Sequence, residues 1–215
     1  MAELYDRQKN VPITVPEKVT ILGVGGVGTW MGFALALAGV KEITLIDYDA
    51  IEEHNLNRTP YRPYDVGFPK VDALSAIIGE LRPQCRVTTL RKRVEQLTET
   101  EMASVNETVV IDCRDNLAHP GANLKTPLLK AGYDGTKGTI YLHPTYTGII
   151  GEANGYTTVP SWVGTPLELV GICLHIICDQ KHLESTEERI VSFDARETFE
   201  ALHEYAMAQM RKSHV

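Results

Sequence analysis

The chain has only four cysteines, Cys85, Cys113, Cys173 and Cys178, and no two stand at CxxC spacing. That pattern supports neither a disulfide scaffold nor a four-cysteine zinc site. No basic run is longer than Arg91-Lys92-Arg93, and 21 basic against 28 acidic residues leave a formal net charge of −7, which argues against a broad nucleic-acid footprint. The longest strongly apolar stretch, within residues 29–40, falls far short of the roughly 20 residues that cross a bilayer, so no transmembrane helix is expected. Residues 1–10 mix charges of both signs without an apolar core; no secretory signal is expected, and a cytoplasmic address follows. What is present, 215 residues that are 43% hydrophobic and 23% charged, is the composition and length of one folded domain.

After a polar arm, residues 18–22 read as a short apolar strand that runs into Gly23-Val24-Gly25-Gly26-Val27-Gly28. A helix of small and apolar residues continues to Gly39, and residues 43–47 read as the next strand. Strand, glycine turn, helix and strand open a doubly wound parallel sheet. Apolar residues at helical spacing from Val71 to Leu81 predict a helix that Arg82-Pro83 ends. Strands are expected over residues 86–90 and 108–112, with Thr98 and Glu101 boxing the start of a short helix between them. Pro120, Gly121 and Pro127 interrupt the pattern over residues 117–130, which stays unassigned. Residues 138–142 and 147–156 have the character of a hairpin or meander. Residues 167–177 read as an apolar helix and 190–193 as a strand, and Phe199, Leu202, Ala206 and Met210 mark a closing amphipathic helix.

The glycine turn offers backbone amides and a helix start to a phosphate, and Asp47, 19 residues after Gly28, offers a carboxylate to ribose hydroxyls. Taken alone, these features point to an adenine nucleotide; glycines that merely close a turn are the structural alternative. Asp49, Asn55, Arg58, Lys70 and Asp115-Asn116 cluster where parallel strands end, and that separates ATP from a dinucleotide. A carboxylate brought to about 4 Å from an α-phosphate meets about 4 kcal/mol of repulsion at an effective dielectric of about 20. Arg58, Lys70 and a magnesium ion would offset it.

The sequence resembles the ThiF/MoeB/HesA superfamily, the adenylating domain shared with ubiquitin-activating enzymes. The resemblance rests on Tyr5-Asp6-Arg7-Gln8, the glycine turn, Leu45-Ile46-Asp47-Tyr48-Asp49, Asn55-Leu56-Asn57-Arg58, Gly67-Phe68-Pro69-Lys70 and Asp112-Cys113-Arg114-Asp115-Asn116, in that order. It implies a single adenylation domain over residues 1–215: an arm over 1–17, a nucleotide-binding core over 18–116, and a substrate-side and dimerisation half over 117–215. It implies a Rossmann-like sheet with helices on both faces and a C-terminal antiparallel extension. It further implies ATP and Mg2+ as cofactors, with Gly23, Gly25, Gly26, Gly28, Asp47, Asp49, Asn55, Arg58, Lys70, Asp115 and Asn116 binding the nucleotide. Asp115 would hold the metal, and Arg58, Lys70, Asp115 and Arg7 would be catalytic, Arg7 reaching into the partner's site of a homodimer.

Many members carry two zinc-binding CxxC pairs, and this chain has neither, so no zinc is expected. Cys173 and Cys178 lie in an apolar helical run and read as core thiols, as does Cys113; a thioester or persulfide step is not supported. Thr59-Pro60 and His119-Pro120-Gly121 depart from the family pattern on the substrate side. Lys92, Arg93, Arg211 and Lys212 read as solvated surface, and His143 and His175 have no partner pattern. The expected function is adenylation of a small-molecule or cofactor-precursor carboxylate. The alternatives are the C-terminal carboxylate of a ubiquitin-like or sulfur-carrier protein and, in another class, a non-catalytic nucleotide-binding scaffold. Gly28-Thr29-Trp30 also resembles the relatives that act on a threonylcarbamoyl group of transfer RNA, which the net charge of −7 disfavours.

Overall fold

A computed structural model describes residues 2–116, 118–121, 123–146, 160–197 and 200–205. The strands are β1 Lys18–Leu22, β2 Glu42–Ile46, β3 Arg86–Leu90, β4 Val109–Asp112, β5 Leu129–Asp134, β6 Lys137–Leu142 and β7 Arg189–Asp194, with helices α1 Gly26–Ala38, α2 Lys70–Leu81, α3 Glu99–Asn106, α4 Gly164–Ile177 and α5 Gln180–Glu184. All seven strands join one sheet in the order β3-β2-β1-β4-β5-β6-β7. The first five pair in parallel, and β6 pairs antiparallel with both β5 and β7. This is the doubly wound α/β sheet with an antiparallel extension that the sequence predicts.

Both faces of the central strands are covered, which is why β1 is buried from Val19 to Leu22 rather than alternating. On one face Ile21, Leu45 and Ile111 pack with Met31 of α1, Leu74 of α2 and Leu169 of α4. On the other, Leu22, Ile46 and Val110 pack with Val94, Leu124 and Val105 of α3. Met31, Leu35, Leu74 and Ile78 are fully buried, each contributing about 1.5–3 kcal/mol. Even the polar Thr20 is satisfied inside, accepting from the Thr108 hydroxyl at 2.7 Å. The chain winds outward from β1 through α1 and α2 to β3, then returns across the opposite face through α3 to β4. The strand order therefore reverses between β1 and β4, the place where such sheets bind ligands.

The N-terminal arm docks on this frame: Gln8 Nε2 donates to the Ala38 carbonyl at 2.9 Å, and the Thr14 amide donates to the Cys178 carbonyl at 2.7 Å. Thr98 and Glu101 form the expected capping box on α3.

Beyond β4 the outcome differs from segment to segment. The unassigned stretch runs into β5, whose Leu-Lys-Ala-Gly-Tyr-Asp text has no apolar run; all six of its residues pair antiparallel with β6, and only Leu129 and Lys130 also pair with β4. Residues 138–142 fall within β6, which pairs antiparallel with β5 on one side and β7 on the other; residues 147–156 lie outside the described residues. Residues 200–205 are helical with Leu202 and Tyr205 exposed, while Phe199, Ala206 and Met210 lie outside the described residues. No helix among the described residues is long and apolar enough to cross a membrane.

Candidate active site

A cleft of about 350 Å³ opens over the strand ends at the reversal point. The glycine turn forms its floor. Gly23 has φ +83°, and a Cβ there would lie 3.0 Å from the Arg114 backbone; a Cβ on Gly28 would lie 1.9 Å from the Gly23 carbonyl oxygen, so α1 leaves the turn only if both positions stay bare. Gly25 caps α1 without a side-chain hydrogen bond, which leaves first-turn amides for an anion. Gly23, Gly25 and Gly26 line the cleft, and Gly28 supports it from behind.

Asp47, at the end of β2, accepts from the Val24 amide at 2.6 Å and the Asp49 amide at 2.8 Å, tying the glycine turn to its neighbouring strand. Burial pushes its carboxyl above the ordinary value, against the lowering effect of those two amides. Lys70, at the start of α2, is 9% exposed and donates through Nζ to Asp49 Oδ2 at 2.9 Å. Arg58 lines the same wall, its guanidinium donating to the His54 carbonyl at 2.6 Å and to Asn57 Oδ1 at 3.0 Å. The Tyr61 hydroxyl meets Thr29 Oγ1 at 3.0 Å and donates to the Lys70 carbonyl at 3.2 Å, joining α1, the Arg58 loop and α2. Burial raises its phenol.

The two aspartates after β4 have opposite surroundings. Asp112 is fully buried and accepts from the Arg114 side chain at 2.9 and 3.0 Å and from the Tyr146 hydroxyl at 2.8 Å. Asp115 is exposed and lines the cleft with Asn116, and its carboxylate has no protein hydrogen bond or ion pair among the described residues. Lys130 Nζ stands 3.5 Å from Asp112, with its ammonium lowered by burial while Asp112 opposes that shift. Burial, and then the Asp112 charge, raise the Tyr146 phenol.

A family model described as the ThiF family matches residues 15–154. The chain belongs to the ThiF family. Over 138 residues it is 33% identical to a tRNA threonylcarbamoyladenosine dehydratase of Escherichia coli (strain K12), covering 61% of this chain and 51% of that one. Over 102 residues it is 31% identical to a molybdopterin-synthase adenylyltransferase of Salmonella typhimurium (strain LT2), covering 47% and 41%. The chain thus spans about half or less of the length of these curated relatives. Among solved structures, E. coli MccB with ATP shares the fold at a TM-score of 0.61 and 22% identity, over 89% of this chain and 66% of that one.

Within this ThiF-family frame most expected residues converge on the cleft; Gly28, behind the turn, Asn55 and Arg7 do not line it. Asn55 is 6% exposed and its Oδ1 accepts from the Glu52 amide at 3.1 Å, so it shapes the loop that carries Arg58 rather than lining the cleft. Arg7 is exposed on the arm, away from its own chain's cleft. Lys92 and Arg93, read from the sequence as solvated surface, line the cleft rim instead: Lys92 is held by Glu101 at 2.9 and 3.0 Å, and Arg93 lies 3.8 Å over the Tyr48 ring. The end of β3 brings them there, a consequence of strand order that local sequence does not carry. The core reading of the thiols agrees with Cys173 and Cys178 at 0% and 3% exposure, whereas Cys113 is half-buried and lines the cleft because it follows β4 at the strand ends; burial pushes Cys173 up to about 12 and raises Cys113 and Cys178. His143 Nε2 contacts the His182 carbonyl at 3.1 Å, and His175 is exposed on α4.

Arg114, Tyr133 and Ser161 also line the cleft and were not singled out from the sequence; the Tyr133 hydroxyl bonds Ser161 Oγ above Gly26. Arg114 stood in the recognised motif, whereas Tyr133 and Ser161 lie beyond it and had no local signal. Among the described residues no group of three or more His, Cys, Asp or Glu could hold a metal by itself. A magnesium ion carried by nucleotide phosphates needs only one or two protein carboxylates, and the cleft-facing Asp115 fits that demand.

Proposed function

We propose that this chain binds ATP in the cleft and activates a carboxylate as its acyl adenylate, releasing pyrophosphate. The reading is carried by the convergence of Arg58, Lys70 and the unpartnered Asp115 carboxylate around a glycine turn whose helix start has no side-chain cap. Asp47 would accept ribose hydroxyls at the end of β2. The α1 amides, Arg58 and Lys70 would hold the phosphates and neutralise charge as pyrophosphate leaves. Mg2+ held by Asp115 would supply further positive charge at those phosphates. The carboxylate would approach beyond the glycine turn, beside Tyr133 and Ser161, so positioning and charge neutralisation suffice without a covalent nucleophile. A degenerate scaffold subunit would be expected to lack part of this set, and Arg7, Arg58, Lys70 and Asp115 are all present. The exposed position of Arg7 outside its own cleft supports a homodimer in which it serves the partner's site.

A small-molecule or cofactor-precursor carboxylate is the first reading, supported by the buried thiols of Cys173 and Cys178 and by the raised thiol of the half-buried, cleft-lining Cys113, which offer no ready thiolate to accept a carrier protein's acyl group. The similarity to a molybdopterin-synthase adenylyltransferase favours a protein-carrier carboxylate as the second reading. The similarity to a tRNA threonylcarbamoyladenosine dehydratase favours an RNA-borne one, against which the net charge of −7 counts. ATP–pyrophosphate exchange, run with small-molecule and macromolecular fractions of a cell extract, separates them. Stimulation by the small-molecule fraction is expected, with Asp115→Ala at least about 100-fold slower. Stimulation by macromolecules alone favours the carrier or RNA reading, and silence in both fractions with ATP binding intact favours the scaffold.

A further inference from the structure

We propose that Asp112, Arg114, Lys130 and Tyr146 form a positioning unit that holds the turn after β4, and with it the Asp115 carboxylate, at the cleft. The inference rests on the reading of Asp115 as the Mg2+ ligand. Asp112 and Asp115 stand three residues apart and look equivalent as text, but only one is free to bind anything. Asp112 Oδ1 accepts from the Arg114 amide at 3.0 Å and from Nε at 2.9 Å, and Oδ2 accepts from Arg114 Nη2 at 3.0 Å and the Tyr146 hydroxyl at 2.8 Å, with Lys130 Nζ at 3.5 Å. Its accepting capacity is spent on protein, and leaving any of those donors unpaired in this buried place would be costly.

The same donors grip the backbone leading to Asp115. Lys130, 4% exposed in β5, donates to the Arg114 carbonyl at 2.8 Å, the oxygen immediately before Asp115 in the chain. On the other side the Arg114 backbone packs so closely on Gly23 that a Cβ added there would lie only 3.0 Å from it. Tyr146 reaches Asp112 from a segment where it adopts φ +63°, a conformation a bulky residue keeps only when its surroundings over-determine it; here the hydroxyl bond and the edge of His119, centroids 4.9 Å apart, do so. Three separate stretches of chain thus fix one short turn between the glycine loop and the cleft. A carboxylate aimed by such supporting contacts binds metal better than the same carboxylate on a loose turn.

The test compares the Kd for ATP with excess Mg2+ and with EDTA, by calorimetry on the full chain, in wild type, Lys130→Met, Tyr146→Phe and Asp115→Ala, with Tm recorded for each. Lys130→Met is expected to erase about tenfold of the Mg2+-dependent gain in affinity, and Tyr146→Phe about threefold. Loss of the lysine's positive charge alone would weaken the tetra-anionic free ATP more than its magnesium complex, moving the ratio the opposite way. A lowered Tm with a wild-type ratio in both variants would reduce the unit to a fold-stabilising ion cluster and overturn the proposal. Should Lys130→Met fail to fold, Tyr146→Phe decides alone, since it removes one hydroxyl and no charge. If Asp115→Ala keeps the full Mg2+ dependence, the metal assignment itself fails and this inference falls with it; if only Asp115→Ala loses it, the inference fails and the assignment stands.

Discussion

Gly28 and Gly79 both sit in helices, and the structure predicts opposite consequences for adding one methyl group. At Gly28 the new Cβ would lie 1.9 Å from the Gly23 carbonyl oxygen, a backbone atom that cannot yield without moving the glycine turn. Gly28→Ala is expected to lower stability by about 3 kcal/mol in urea unfolding and to weaken ATP binding with it. At Gly79, on the exposed side of α2, nothing lies within 4 Å, so Gly79→Ala is expected to raise stability by about 0.5–1 kcal/mol. Equal costs at the two sites would mean that close approach does not govern the turn. The glycine motif was legible because its spacing is local. The division of labour between Asp112 and Asp115 was not, since burial and partners come from β5 and the segment after β6.

At the scale of elements, α3 shows how a local signal can have a distant use. Thr98 and Glu101 box its start, which the sequence predicts, but Glu101 also binds Lys92 at the cleft rim. The Lys92 hydrogen bond, followed by the Thr98 amide, lowers the Glu101 carboxyl to about 2 from an ordinary value of 4.5. A carboxyl with a depressed folded-state pKa adds stability that is fully present above its unfolded value and is lost as pH falls toward the folded one. Wild type is therefore expected to lose more stability than Glu101→Gln between about pH 5 and about pH 3, read as the difference in urea midpoints. A pH-independent difference would show that the Lys92 contact does not persist in solution. β5 is the converse case: its strand character comes from pairing with β4 and β6, and its text, with a buried lysine and a glycine, carries no period from which to assign a strand.

At the scale of the whole molecule, one sheet joins the parallel half to the antiparallel extension, and Arg7 stands outside the cleft of its own chain. If Arg7 serves a partner's site, mixing inactive Arg7→Ala and Asp115→Ala chains in equal amounts assembles heterodimers with one intact site and one doubly defective site. Exchange activity is then expected to return to about a quarter of wild type, since half the dimers are mixed and half of their sites are whole. No recovery after subunit mixing, with heterodimers verified by mass, would place Arg7 in its own subunit's site or in none.

The sequence by itself determined the parallel half of the sheet from β1 to β4, the glycine turn, the gathering of Asp47, Arg58, Lys70 and Asp115 at one edge of that half, and membership of the ThiF family. These depend on period, turn chemistry and spacing, which a few neighbouring residues specify. Only the tertiary structure decided that β5 is a strand, that Lys92 and Arg93 edge the cleft, that Asn55 supports a loop, and that Asp112 is consumed by Arg114, Lys130 and Tyr146 while Asp115 is left facing the cleft. Each of those outcomes depends on which strands lie side by side, and that order is set by burying the apolar faces of distant segments together.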